Sequence, residues 1–217
     1  MKKLLILLIG SILFLQGSIA QGRKSKDKVF TSKRPFIFLN FDDPQRPNVI
    51  GGLFGSFDAD PTDSNAFVKY TFKKDTNLHN KGYNLYVQYD VDSPKTAFNG
   101  LWTKLSNINI SDFNAFTITV KGDAKAKFNP FFKIEVKDPK GLISAKVDGI
   151  TDKWKKIVIP FSEFNGKVDN FDFKHITEFT VVFEDWKFQQ KVGAYWLDDI
   201  GFIPKKGKKV KFSQIKK

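Results

Sequence analysis

Four aspartates form two adjacent pairs, one near the beginning and one near the end of the predicted folded domain. They are Asp42, Asp43, Asp198 and Asp199. Carboxylate and carbonyl oxygens are the ligands that a hard cation such as Ca²⁺ prefers, so the pairs predict a structural calcium site if the two ends meet. The alternative is that these acids cap turns and pair with lysines. Alternation puts Asp198 on the same side as Ile200 and Phe202, where a buried carboxylate needs a partner, and Asp198 is therefore the strongest candidate.

A second group of side chains combines aromatic rings with amide, ammonium and carboxylate groups at positions predicted to point outward. Sugar binding needs this mixture, because flat rings stack on C–H faces and polar groups bind hydroxyls. The predicted ligand-binding residues are Tyr86, Gln88, Trp102, Phe131, Lys133, Glu135 and Trp186. The alternative is that at least half of the aromatic residues fill a second core layer or pack under loops. Trp154 and Trp196 are assigned to such packing.

The chain offers little for catalysis. It has no Cys and only two His, which excludes metal centres of the Cys/His type. The sequence motifs of serine hydrolases, zinc proteases and phosphate-binding loops do not occur. Two carboxylates suffice for a glycosidase, but acids are numerous enough that some pair is always available. The sequence therefore predicts a protein that is not an enzyme.

Short β-strands must position these groups. Apolar and polar residues alternate with a period of two, as in strands with one buried face, and turns rich in Gly, Asp and Asn separate them. Strands are predicted over 83–89, 116–120, 132–137, 154–159, 179–184 and 195–202. The pattern predicts an all-β fold, an antiparallel sandwich or barrel, whose core is built from many of the 24 Phe.

The positive charge of the chain is concentrated at its ends. The formal net charge is +13, yet residues 35–204 contain 21 basic and 22 acidic side chains. Residues 35–204 are therefore predicted to form one near-neutral domain, without specific nucleic-acid recognition. The basic segments 21–34 and 205–217 are predicted to be flexible. The alternative is that they hold acidic polysaccharide, lipid head groups or nucleic acid.

Residues 1–20 have the features of a secretory signal peptide. Two lysines precede a short apolar run that ends at Leu15, and Ser18 and Ala20 put small residues where a signal peptidase reads them. The alternative is an uncleaved anchor. We expect a secreted or periplasmic protein that does not span the membrane, since no other stretch is apolar enough.

The order of several motifs resembles a known family. The motifs are 41–43, 48–52, 111–113, 116–123, 154–161, 178–183 and 197–200. Over about 36–204 they are similar to the bacterial galactose-binding-like domains grouped with family 11 carbohydrate-binding modules and the complex I intermediate-associated protein family. The resemblance implies an antiparallel β-sandwich of the galactose-binding-like jelly-roll type. It also implies a structural calcium near the chain ends.

Two functions of different classes follow. The first is an exported, non-catalytic protein that binds a polysaccharide or oligosaccharide in a groove by aromatic stacking and hydrogen bonds. The second is a protein-interaction or assembly factor of the intermediate-associated type, which would use the same sandwich to bind another protein. Export favours the first, whereas the lack of a linked hydrolase weakens it.

Overall fold

A computed structural model of the protein describes residues 27–31, 34–74, 82–166, 170–207 and 209–213. The predicted signal peptide, 1–20, lies outside the described residues, as does much of the basic segment 21–34. The described residues contain no α-helix, and a short 3-10 turn spans Phe161–Glu163. Fourteen β-strands make up the rest of the regular structure within these ranges.

Two six-stranded antiparallel sheets form a sandwich. In sheet I the order is β10-β7-β13-β5-β4, and β2 pairs with β13 beside β5. Its strands are β2 (Phe36–Leu39), β4 (Phe67–Lys73), β5 (Asn84–Asp90), β7 (Phe113–Gly122), β10 (Lys155–Pro160) and β13 (Val192–Pro204). In sheet II the order is β11-β9-β8-β12-β6-β3. Its strands are β3 (Phe54–Asp58), β6 (Phe98–Ile108), β8 (Phe131–Lys137), β9 (Leu142–Asp148), β11 (Asn165–Gly166) and β12 (Ile176–Glu184).

Aromatic rings join the two sheets. Phe116 of β7 stacks on Phe179 of β12 with ring centroids 5.4 Å apart, and Tyr89 of β5 stacks on Phe183 of β12 at 4.8 Å. All four side chains are almost fully buried. Alternation explains this core, because every second residue of each strand points to the inter-sheet space. The predicted all-β sandwich is confirmed, and all six predicted strands overlap an observed one.

A β-bulge in β13 changes the side on which Asp198 lies. Asp198 pairs with Thr119, but the next pair along the ladder is Gly201 with Thr117. Thr119 points away from the core, since Ile118 and Val120 on either side of it are buried in the core. Asp198 therefore lies on the outer side of sheet I. The prediction that it shares a side with Phe202 is wrong, because a bulge shifts the alternation by one residue.

The two basic segments meet in a separate ribbon. Strand β1 (Asp27–Thr31) pairs antiparallel with β14 (Lys209–Ser213), from Asp27 opposite Ser213 to Thr31 opposite Lys209. This backbone pairing differs from the prediction that 21–34 and 205–217 are flexible throughout. Part of 205–217 has the alternating pattern of a strand, which the high lysine content obscured.

Candidate functional site

The outer face of sheet II carries a shallow groove of about 240 Å³. Alternation puts one residue in two of β6, β8 and β12 on this face, and the loop after β12 closes one end. The lining residues are Phe57, Phe98, Lys133, Glu135, Lys137, Thr180, Val182, Glu184 and Trp186. Three predicted ligand-binding residues, Lys133, Glu135 and Trp186, therefore lie together.

Alternating charges form the floor of this face. The members of this ion-pair network are, in order of contact, Lys104, Glu178, Lys137, Glu135, Lys133 and Glu184. Lys137 Nζ lies 2.8 Å from Glu178 Oε1, and Lys133 Nζ lies 2.5 Å from Glu184 Oε1. Three lysines and three glutamates cancel, so the network offers ammonium donors and carboxylate acceptors without net charge. Such groups suit the hydroxyls of a neutral sugar.

The ion pairs favour the charged forms of Glu178 and Lys133. Burial alone would raise the pKa of the Glu178 carboxyl, but hydrogen bonds from Lys104 and Lys137 outweigh it, and its pKa is lowered. Burial alone would lower the pKa of Lys133, but hydrogen bonds to Glu184 and Glu135 outweigh it, and its pKa is raised. At neutral pH Glu178 and Lys133 are therefore both charged.

Aromatic side chains stand at one end of the groove. Trp186 is 53% exposed, and its ring packs edge-on against Phe98, which is 38% exposed, with centroids 6.1 Å apart. The ring centroids of Phe57 and Phe98 lie 6.4 Å apart. Exposed rings beside polar groups can stack on the C–H face of a pyranose.

The loop that carries Trp186 is fixed at both ends. Asp185 exchanges two hydrogen bonds with Ala97, since its backbone N–H donates to the Ala97 carbonyl and its carboxylate accepts from the Ala97 N–H, each at 3.1 Å. At the other end the buried Asn129 side chain bonds both the N–H and the carbonyl of Gln190. Trp186 is therefore presented on a braced loop, which reduces the entropy lost on binding.

Trp102 lies beside the groove on β6. Its cross-strand partners are Thr180, which lines the groove, and Gly55 of β3. The indole lies flat against Gly55, where a Cβ atom would come within 2.9 Å of the ring, and Nε1 donates to the Ser56 carbonyl at 3.2 Å. Glycine at 55 thus makes room for the half-buried Trp102.

Phe131 lies on the same face, but its ring is less accessible to a ligand than that of Trp186. The ammonium group of Lys146 lies 4.0 Å from the centroid of its ring, and the ring edge packs against Phe188 at 5.7 Å. Phe131 is partly packed against the core. The structure therefore places it at the margin of the face, with one ring side covered.

Tyr86 and Gln88 lie on the opposite side of the molecule. Both point outward from β5 in sheet I, where Tyr86 pairs with Trp196 and Gln88 with Ala194. The expectation that all seven predicted residues share one groove is wrong. Alternation identifies outward side chains, but it does not tell which of the two sheets a strand joins.

Trp154 and Trp196 are not core residues. Trp196 pairs with Tyr86 and with Lys121 on the outer side of sheet I, and both tryptophans are only half-buried. Their assignment to core packing is wrong. Trp196 precedes the core residue Leu197, so alternation alone places it outside.

The four aspartates of the predicted calcium site are only partly brought together. The pKa of the Asp199 carboxyl is raised, first by partial loss of hydration and then by the charge of Asp42, so these two groups are near each other. Asp198 is fully buried, and its oxygens accept from Asn84 Nδ2 and the Asp199 N–H, each at 2.8 Å. Asp43 instead accepts from the Gln45 N–H. Within the described ranges, no three or more acidic, His or Cys side chains form a metal-binding group. Asp42 and Asp199 are thus the pair whose charges interact, whereas the Asp43 carboxylate caps a turn within its own loop.

A larger cavity of about 860 Å³ lies at the edge of the sandwich. The loop from 42 to 53 forms one wall, and Phe54, Tyr70 and Phe72 form the other. It contains none of the predicted sugar-binding residues.

Sequence reasoning missed six of the nine lining residues of the groove. Three of them, Thr180, Val182 and Glu184, alternate with the core residues of β12, and this pattern was visible in the sequence. Their place in a groove could not be predicted, because it depends on β12 lying between β6 and β8 in the sheet.

Comparison with known proteins gives a family match. Residues 52–204 match the family model described as carbohydrate binding domain 30. No curated protein matches the chain. In the described part of the chain, no helix is long and apolar enough to span a bilayer.

Several solved structures share the fold. The family 11 carbohydrate-binding module of a cellulosomal cellulase from Clostridium thermocellum is 17% identical, and the alignment covers 86% of this chain and 99% of that one with a TM-score of 0.53. A family 11 module from the same organism, in complex with a β-1,3-1,4-mixed-linked tetrasaccharide, is 18% identical, with coverage of 71% and 91% and a TM-score of 0.53. The family 30 module of a cellulosomal cellulase from that organism is 16% identical, with coverage of 71% and 91% and a TM-score of 0.51.

Proposed function

Because the chain belongs to the carbohydrate binding domain 30 family, we propose that it is an exported, non-catalytic protein that binds a polysaccharide on the outer face of sheet II. The groove beside Trp186 and Trp102 carries this proposal. Its floor is a charge-balanced network of hydrogen-bonding groups, and its aromatic side chains provide surfaces for sugar rings.

A neutral glycan suits this groove better than a charged one. Each lysine of the network contacts a glutamate, so an added sugar carboxylate would compete with Glu135 or Glu184 for Lys133. A family 11 module of similar fold is described in complex with a mixed-linked tetrasaccharide, which makes mixed-linkage β-glucan the first ligand to test.

The test is calorimetry with soluble mixed-linkage β-glucan on the full chain and its variants. We expect Trp186→Ala and Trp102→Ala each to weaken binding by a few-fold to about thirtyfold, since a stacking contact contributes about 1–2 kcal/mol. Trp154→Ala is the matched control, because it removes the same side chain from the opposite face. Equal loss in all three variants would contradict a site on sheet II.

Two further results would redirect the proposal. If an array of neutral and charged glycans shows no ligand and a specific protein binds instead, the assembly function takes its place. If reducing sugar appears when the protein is incubated with β-glucan, the absence of catalysis is wrong. The proposed export is tested separately, by N-terminal sequencing of the protein from the extracellular and periplasmic fractions.

A further inference from the structure

The outer face of sheet I carries a row of alternating cationic and aromatic side chains. The register aligns Tyr86 of β5 with Trp196 of β13 and Trp196 with Lys121 of β7. Lys73 of β4 joins the row at one end, and Trp154, just before β10, joins it at the other. We call these five residues the cation–aromatic row. It crosses five neighbouring strands, a distance of about 19 Å at the usual strand spacing.

The two ammonium groups lie on ring faces. Lys73 Nζ is 3.9 Å from the Tyr86 ring centroid and 6.0 Å from that of Trp196. Lys121 Nζ is 5.0 Å from the Trp196 centroid and 5.2 Å from that of Trp154. Both ammonium groups therefore lie within the distance of a cation–π contact from the Trp196 ring.

One acid accompanies these two cations. The Asp123 carboxylate forms hydrogen bonds with the side chains of Tyr86 and Trp196. Burial would raise the pKa of Asp123, but backbone N–H groups of the following turn and these side chains outweigh it, so its pKa is lowered. Burial and the charge of Asp123 raise the pKa of Tyr86 to about 12, so its phenol is neutral. The row therefore places the Lys73 and Lys121 side chains beside the Asp123 carboxylate.

The chemistry of the row differs from that of the sheet II groove. Lys73 covers the Tyr86 ring, which is only 8% exposed, so neither a sugar nor a nucleobase can stack there. The polar groups that reach solvent are the exposed Lys73 and the half-buried Lys121, together with the exposed Thr71 and Gln88 on the same face. Two converging ammonium groups attract a carboxylate, and neighbouring hydroxyl and amide groups suit sugar hydroxyls.

We propose that the cation–aromatic row binds the uronate residues of an acidic polysaccharide, as a second glycan site back to back with the sheet II groove. The protein would then hold a neutral glycan on one face and a charged glycan on the other. This second site does not depend on the proposed function, because the two faces share no residue. Each can be lost without the other.

The test compares polygalacturonate with its methyl ester, since the two differ in charge but share a backbone. Affinity gel electrophoresis of the full chain at about 0.15 M ionic strength limits long-range attraction. We expect retardation by polygalacturonate and much less by the ester. The double variant Lys73→Gln/Lys121→Gln should bind polygalacturonate about threefold to thirtyfold more weakly, as expected for two partly exposed ion pairs.

A matched double variant controls for the basic chain ends, which attract any polyanion. Lys140→Gln/Lys174→Gln removes the same charge from exposed loop positions outside sheet I. It should bind polygalacturonate within about twofold of the unchanged protein, since an exposed charge outside the site contributes little. Trp186→Ala should likewise leave polygalacturonate binding unchanged while it weakens β-glucan binding.

Three results would overturn the second site. The first is an equal loss in the two lysine double variants, which would show general charge attraction. The second is equal binding of the ester, which would show that the carboxylate is not recognised. The third is that duplex DNA competes for the protein as well as polygalacturonate does, and that Lys73→Gln/Lys121→Gln also binds DNA more weakly. That result would make the row a general polyanion surface.

Discussion

The role of each tryptophan depends on what covers its ring. Trp186 is exposed at the mouth of the groove, whereas Trp102 lies against the backbone at Gly55. Trp154 and Trp196 hold the Lys121 ammonium group between them. Composition and alternation do not distinguish these cases, because the covering group comes from another strand in each of them.

Loss of Trp154 should cost little stability. It is half-buried, and its ring contacts the Lys121 ammonium group, a contact worth about 0.5–1 kcal/mol at an exposed site. Phe179 is 1% exposed and stacks on Phe116, so Phe179→Ala should cost about 3–5 kcal/mol. Urea unfolding followed by far-UV circular dichroism measures both. A comparable loss in Trp154→Ala would mean that this ring is part of the core after all.

Calcium would act through Asp42 and Asp199, which come from the loop after β2 and from the β13 bulge. If the ion is bound there, chelation should lower the melting temperature of the protein, since a ligand at a hundredfold excess over its Kd stabilises by about 2.7 kcal/mol. Asp199→Asn should abolish this chelator effect while the nearly isosteric side chain preserves the fold. Identical melting curves with and without chelator, for protein first shown to contain calcium, would exclude a stabilising ion.

At the scale of the strands, the ion-pair network ties β6, β12 and β8 together across the groove. Glu178 lies at the junction, because it contacts Lys104 of β6 and Lys137 of β8. Its lowered pKa means that the folded protein holds its proton less tightly than the unfolded chain does. The stability that ionised Glu178 contributes is therefore fully present above about pH 4.3, the ordinary pKa of a Glu side chain. It is lost as the pH falls through the lowered pKa of the folded state.

Glu178→Gln should remove that pH dependence. At pH 7 we expect the variant to be less stable by about 1–2 kcal/mol, because two lysines lose their partner on a partly buried face. Below the folded-state pKa the two proteins should converge. Glu163→Gln, which changes an exposed glutamate in the 3-10 turn, is the control. The measurement is denaturant unfolding from pH 2 to 7, and a gap that persists in acid would contradict the ionic account.

Strands were predictable from the sequence, but their neighbours were not. Alternation in 132–137 and 179–184 identified β8 and β12, because one face of each packs into the apolar core between the sheets. The groove arises from the pairing of β12 with both β6 and β8, and these contacts join residues that are distant in the chain. The same reasoning placed Tyr86 outward correctly, yet could not assign it to sheet I.

At the scale of the whole molecule, the sandwich is nearly neutral while its chain ends are basic. Residues 35–204 contain 21 basic and 22 acidic side chains, against a net charge of +13 for the whole chain. The ends meet in the β1–β14 ribbon, which is a two-stranded sheet of its own. A single two-stranded ribbon is only marginally stable in water. The ribbon should therefore contribute charge to the molecule and little stability.

Removal of 21–34 and 205–217 tests this division. Because the core lies between sheets I and II, we expect the truncated protein to melt within a few degrees of the mature chain. A change of about 1 kcal/mol in the free energy of unfolding would shift the melting temperature of a domain of this size by roughly 2–4 °C. Retention on a cation-exchange column should collapse, since the remaining domain has almost no net charge, while β-glucan binding on sheet II should be unchanged. A loss of ten degrees or more would show that the ribbon closes the sandwich between β2 and β13, and unchanged retention on the cation-exchange column would show that the chain ends do not supply the charge that binds it.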